Sequence, residues 1–306
     1  MKIKVLGSAA GGGFPQWNCN CRNCSGVRAG TVRALARTQS SIAVCGTDPR
    51  SWVLINVSPD ILAQLRAHPV LQPGRAPRDT AIAAIVLVDA QIDHSTGLFM
   101  LRESTRPLQV WCTDEACEDL THGNPIFGVL RHYCGVERHA MTPDGREFSV
   151  AGASGLVWRA LAVASKPAPY SPHREAPVPG DNVALVIHDV GTQRACVYAP
   201  GLGSMDPTVW QAMQAAQCVL VDGTFWTDDE MIRLGLSHKR AREIGHLPQT
   251  GSGGMLEWLE RLPARTRRIL IHVNNTNPIL DEDSAERAEL TRRGIELAWD
   301  GLEIEL

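Results

Sequence analysis

One stretch limits the fold of this chain more than any other. Residues 81–88, AIAAIVLV, are eight apolar residues in a row. A strand of that kind has both faces covered, so it belongs to a sheet packed between other layers. It is also the longest apolar run, far short of the roughly 20 residues that cross a bilayer. No membrane insertion is expected. The opening MKIKVLG is broken at once by Gly7 and Ser8 and reads as a first strand, not a signal peptide.

The rest of the chain alternates strand and helix signals. Strands are expected at 2–8, 108–113, 156–163, 218–221 and 268–273, with hairpins joining 40–45 to 51–57 and 183–188 to 194–198. Helices are expected at 58–68, 95–102, 206–216, 252–262 and 283–293. Residues 71–80 read as a loop, and residues 166–181, with five prolines, as a loop or lid. The pattern predicts one layered α/β or α+β domain over residues 1–306, sheets inside and helices outside.

Composition removes some functions. With 44% hydrophobic and 21% charged residues, the chain is of ordinary globular make-up. Thirty basic against 33 acidic side chains leave a net charge of -3, so no nucleic-acid partner is expected. Nine cysteines, an odd number, and no export signal point to a reduced cytoplasm and away from a disulfide framework.

Four features could carry chemistry. The first is Cys19-Asn20-Cys21-Arg22-Asn23-Cys24, whose closely spaced thiolates can wrap one tetrahedral zinc ion. Its fourth ligand would come from His272 or a polar group near it. The alternative is a trio of buried free thiols. The second is Asp89-Ala90-Gln91-Ile92-Asp93-His94, where Asp89, Gln91 and Asp93 share one side of an extended chain and His94 follows. It serves equally as a cation site or as a helix cap with a backbone-satisfied histidine. The third is Asp222 and the fourth His272, each at the carboxyl end of an apolar strand, where open sheets place ligands. Each could instead be a plain turn residue. His246 is a weaker candidate.

Together these stretches resemble the metallo-β-lactamase superfamily. The match runs through residues 7–24, 88–97, 221–225, 245–251 and 272–278, closest to its phosphodiesterase and tRNA-processing branch. Within that branch the chain is similar to the family of the pyrroloquinoline quinone (PQQ) biosynthesis B proteins. The resemblance implies a four-layer αββα sandwich.

The chain also departs from the superfamily pattern. Asp89 and Gln91 replace the two histidines that open the usual metal box. No histidine stands at 164–166 and no bridging carboxylate at 198–201. Two-metal hydrolysis is therefore not expected. What survives is Asp93, His94, Asp222 and His272 around one ion. Two histidines and a carboxylate with open positions make the ligand set of non-haem Fe(II) sites that activate dioxygen. On this reading His246 is an acid/base or hydrogen-bond donor, and Asp89 and Gln91 orient ligands or substrate. With His272 in that site, Asn275 or a neighbour falls to the cysteine zinc. The resemblance implies either an Fe2+-dependent hydroxylase of the tyrosine ring of a crosslinked Glu–Tyr PQQ precursor, or a non-catalytic carrier of PQQ or that precursor. The chain could act as a homodimer.

Overall fold

The computed structural model describes all residues from Met1 to Leu306. Fourteen strands form two sheets. The first sheet takes β1 (Lys2–Gly7), β2 (Ser41–Cys45), β3 (Trp52–Ile55), β4 (Ile82–Val86), β5 (Leu108–Cys112) and β6 (Val136–Ala140). The second takes β7 (Asp144–Phe148), β8 (Leu156–Ala162), β9 (Val183–Asp189), β10 (Arg194–Ala199), β11 (Cys218–Asp222), β12 (Arg267–Ile271) and β13 (Glu296–Leu297). The last strand, β14 (Glu303–Glu305), returns to the first sheet beside β1. The orders are 14-1-2-3-4-5-6 and 13-12-11-10-9-8-7.

Side-chain alternation explains the layering. Leu220 and Cys218 of β11 point between the sheets, while Val219 and Val221 point at the helices outside. The inner layer also gathers Ile3, Ile42, Ile55 and Val86 from one sheet and Trp158, Leu185 and Ile269 from the other. Each sheet's outer face has its own apolar cluster against helices. This is the expected αββα sandwich. The strand at 81–88 is buried on both faces, pairs parallel with β3 and β5, and ends early, at Val86.

The parallel strands share a direction, so β4, β11 and β12 end on one rim. The expected helix at 95–102 is instead a short α-turn, Ile92–Ser95, running into a 3-10 segment, Thr96–Leu101. The chain therefore leaves the extended form before Asp93. Strand alternation does not place Asp89, Gln91 and Asp93, and a helical turn presents Asp93 and His94 instead. Residues 164–182 form an irregular segment over the same rim. No helix of the chain is long and apolar enough to cross a membrane.

Candidate metal centres

The rim holds three imidazoles, with His272 in contact with the other two. His94 and His272 meet edge to face with centroids 5.2 Å apart, and His246 stacks on His272 at 5.4 Å. The partners of each ring decide which nitrogen faces inward. His94 Nδ1 donates to Asp89, 2.8 and 2.9 Å from its two oxygens. His246 Nδ1 donates to Asp222 Oδ2 at 2.8 Å. The Thr224 hydroxyl donates to Asp222 Oδ1 at 2.6 Å, which leaves its oxygen to accept from His272 Nδ1 at 3.0 Å. His94 and His272 thus carry their protons on Nδ1 and aim bare Nε2 atoms at Asp93.

Those atoms converge on one point. Asp93 Oδ2 lies 3.2 Å from His272 Nε2 and 3.7 Å from His94 Nε2. His94 Nε2 is buried and makes no hydrogen bond. Three acceptors facing one another repel unless a cation stands between them. Ligands about 2.1 Å from an ion stand about 3.0 Å apart at right angles and about 3.4 Å apart at tetrahedral ones. The observed spacings fit an ion after small adjustments.

In the metal-free protein a proton on His94 takes the place of that cation. Burial alone would lower the His94 imidazole, but the Asp89 and Asp93 carboxylates overcome it and raise the pKa to about 9. Burial pushes Asp93 upward, and the His94 and His272 charges hold it well below the usual carboxylate range. Burial works against His246 too, yet Asp222 raises it.

The structure divides the sequence candidates. Asp93, His94 and His272 come together, with Asp89 behind His94. Asp222 stands outside that trio, in a second group with His246 and His272 whose ligand atoms lie within 4.8 Å of one another. It is fully buried, and both oxygens are taken by Leu202 N, Thr224 N, Thr224 Oγ1 and His246 Nδ1. It is built to hold His246. Gln91 reaches neither the histidines nor Asp93, and its amide donates to the Lys166 carbonyl at 3.2 Å. Thr224 was no sequence candidate. The only signal for it is its place two residues after Asp222.

A second centre lies beside the first. Cys21 caps the helix Arg22–Ala29, and its sulfur accepts from Cys24 N at 3.5 Å. Cys21 N donates to Cys19 Sγ, and Gln16 N to Cys24 Sγ, both at 3.4 Å. Such N–H donors favour thiolates. The Asn275 amide nitrogen stands 3.0, 3.7 and 3.3 Å from the sulfurs of Cys19, Cys21 and Cys24. The side chain that closes this cluster is therefore Asn275, while His272 faces Asp93.

One turn links both centres. Residues 272–277 carry His272 to the first and Asn275 to the second. Val273 is tied on both sides to the loop after β1, through Ser8 O and Ala10 N. Asn277 Nδ2 donates to Gly223 O, Thr224 O and Gln249 Oε1. These bonds hold His272 at φ 61°, a left-handed conformation that few non-glycine residues adopt.

The cavity above the first centre measures about 250 Å³. Lys166, Arg174 and Asn182 line it with Asp93, His94, His246 and His272. A larger cavity of about 500 Å³ lies across Ser165 and Lys166 and touches none of the three histidines. The smaller one is the cavity onto which Asp93 and the three histidines open.

Known proteins share this fold. The model of the β-lactamase superfamily domain matches residues 51–273. The coenzyme PQQ synthesis protein B of Azoarcus sp. (strain BH72) is 64% identical over 306 residues, the full length of both chains. That of Methylobacillus flagellatus is 58% identical over 305 residues, 99% of each chain. The crystal structure of Zn2+-bound PqqB from Methylobacterium extorquens superposes with a TM-score of 0.90 at 33% identity, covering all of both chains. A diphosphatase of the PhnP family shares the fold at 17% identity and a TM-score of 0.68. The chain belongs to the coenzyme PQQ synthesis protein B family, within the β-lactamase superfamily.

Proposed function

We propose that this chain acts in PQQ biosynthesis as a mononuclear Fe(II)-dependent, dioxygen-using hydroxylase of the tyrosine ring in a crosslinked Glu–Tyr precursor. One observation carries the reading. Asp93 Oδ2, His94 Nε2 and His272 Nε2 face one point, and each histidine is fixed from behind through Nδ1. Two imidazoles and a carboxylate leave open positions on an ion, as oxygen-activating iron sites require. When bound, Fe(II) supplies the electron chemistry that dioxygen needs. The names of the relatives support a role in PQQ formation, and the missing ligands at 164–166 and 198–201 weigh against two-metal hydrolysis.

The other residues have separate tasks. Asp89 fixes the His94 tautomer. Asp222 and Thr224 hold His246 and His272. His246, with Nδ1 committed to Asp222, offers Nε2 to the cavity for proton transfer or for a hydrogen bond to substrate. Gln91 holds the backbone of the covering segment at Lys166. Cys19, Cys21 and Cys24 hold a structural zinc with Asn275 on its fourth side.

The test is a single turnover. Anaerobic protein is loaded with Fe(II), mixed with the crosslinked precursor and ascorbate as reductant, then opened to oxygen. A mass gain of one or two oxygens, absent in His94→Ala, is the expected result. Tight binding with unchanged mass would overturn the hydroxylase and favour a carrier.

A further inference from the structure

The cavity lining holds two cations that no nearby carboxylate is free to neutralise. Its three nearest carboxylates are committed: Asp89 to His94, Asp93 between His94 and His272, and Asp222 to His246. Lys166 and Arg174 line the same cavity, and neither forms an ion pair with any acid of the chain. The Lys166 ammonium has no hydrogen-bond partner. Arg174 spends one guanidinium nitrogen on the Pro167 carbonyl, which orients it and leaves its other donors free.

A third donor completes the group. Asn182 also lines this cavity, is 5% exposed, and its amide nitrogen has no partner. An unpaired buried donor costs stability unless a ligand satisfies it. Two unpaired cations and an unsatisfied amide above an ion site call for an anionic oxygen ligand. Arg and an amide favour a planar one.

We propose that Lys166, Arg174 and Asn182 form a carboxylate subsite that anchors the substrate while its ring is presented to the metal. The choice of carboxylate rests on the PQQ reading above, because that precursor and PQQ are polycarboxylates. The need for an anion rests on the unpaired donors alone. The subsite would set specificity: a ligand lacking the carboxylate would leave these donors unpaired.

Two probes separate the subsite from the pathway. PQQ and benzene-1,2,4-tricarboxylate are titrated into the zinc-loaded full chain by calorimetry, with the trimethyl ester of PQQ as the uncharged control. Lys166→Met and Arg174→Met should each weaken binding of both acids about tenfold, the scale of one charge-assisted hydrogen bond. Arg174→Lys should keep more affinity than Arg174→Met, and added salt should weaken only the wild type appreciably. The ester should bind no better than the acids bind to the double variant. Melting curves confirm that the variants fold. If the simple tricarboxylate depends on Lys166 and Arg174 but PQQ does not bind, the subsite stands and the PQQ reading falls. If PQQ binds wild type and the double variant equally, the subsite is wrong and the PQQ reading survives. Absence of binding by both probes at millimolar concentration also overturns the subsite.

Discussion

Thr224 holds one hydroxyl within reach of Asp222, His246 and His272 at once. A side chain that sets a ligand's tautomer is typically worth about 10–100-fold in metal affinity. Thr224→Val should therefore weaken active-site metal binding by about that factor, and Thr224→Ser should restore most of it, as read by metal titration. His94→Ala should remove the ion outright while the cysteine zinc stays, which metal analysis would detect. His94 also makes metal uptake pH-dependent. Its proton, held to about pH 9 in the metal-free protein, must leave before Nε2 can bind. Affinity should rise about tenfold per pH unit between pH 7 and 9, as the competing proton is lost. Glu230 gives the opposite lesson. Burial raises its pKa to about 7, although Thr276 and two backbone amides favour the charged form. The folded state then holds a proton that the unfolded state releases near 4.5, so this group's contribution to stability falls as pH rises from about 4.5 to 7. Glu230→Gln cannot lose that proton. Relative to wild type it should gain up to about 3 kcal/mol between pH 5 and 8 in urea unfolding. The residues that bind and those that position them were unequally legible. Asp93, His94 and His272 stand out because ionisable groups at strand ends are conspicuous. Thr224 and Asn182 do not, because a hydroxyl or an amide declares its role only through its neighbours.

At the scale of elements, legibility followed apolar content. The strands carrying the site were recognisable because both their faces are apolar, as at 81–88 and 218–221. The edge strands β6 and β7 were missed. Val136–Ala140 and Asp144–Phe148 are polar and half exposed, so no alternation marks them, and pairing with β5 and β8 is what makes them strands. The short helices at Asp114–Glu118 and Ile126–Leu130 escaped for a related reason: each is only five residues long. The Asp93–His94 corner was misjudged in shape, because a helical turn replaced the extended chain there. On the proposed reading the cysteine loop is held in order by the zinc it binds. Cys19→Ser or Cys24→Ser should release zinc and lower the melting temperature by several degrees, since binding there adds to folding free energy. An unchanged melting curve with zinc retained would end that reading.

Across the whole molecule, the two sheets bring together groups far apart in sequence. Asp93 and His272 meet across 179 residues, and Asn275 meets the cysteines across more than 250. Nothing local to the cysteines points to their neighbour; Asn275 or a residue near it is expected there only because His272 is placed in the other site. Only the position of β12 between β11 and β13 delivers His272 and Asn275 from one turn. The turn at 272–277 has a consequence for how a cell makes this protein. Its far end is tied down by the sulfur cluster, and its near end holds His272 at a positive φ beside Asp93. If both centres hold metal as proposed, the ions should load in sequence, zinc at the cysteines first and the second ion at Asp93, His94 and His272 after it. Chains made under zinc starvation should then fail to take up iron at the second centre, as metal analysis would show. Supplying zinc before iron should rescue them, and supplying iron first should not.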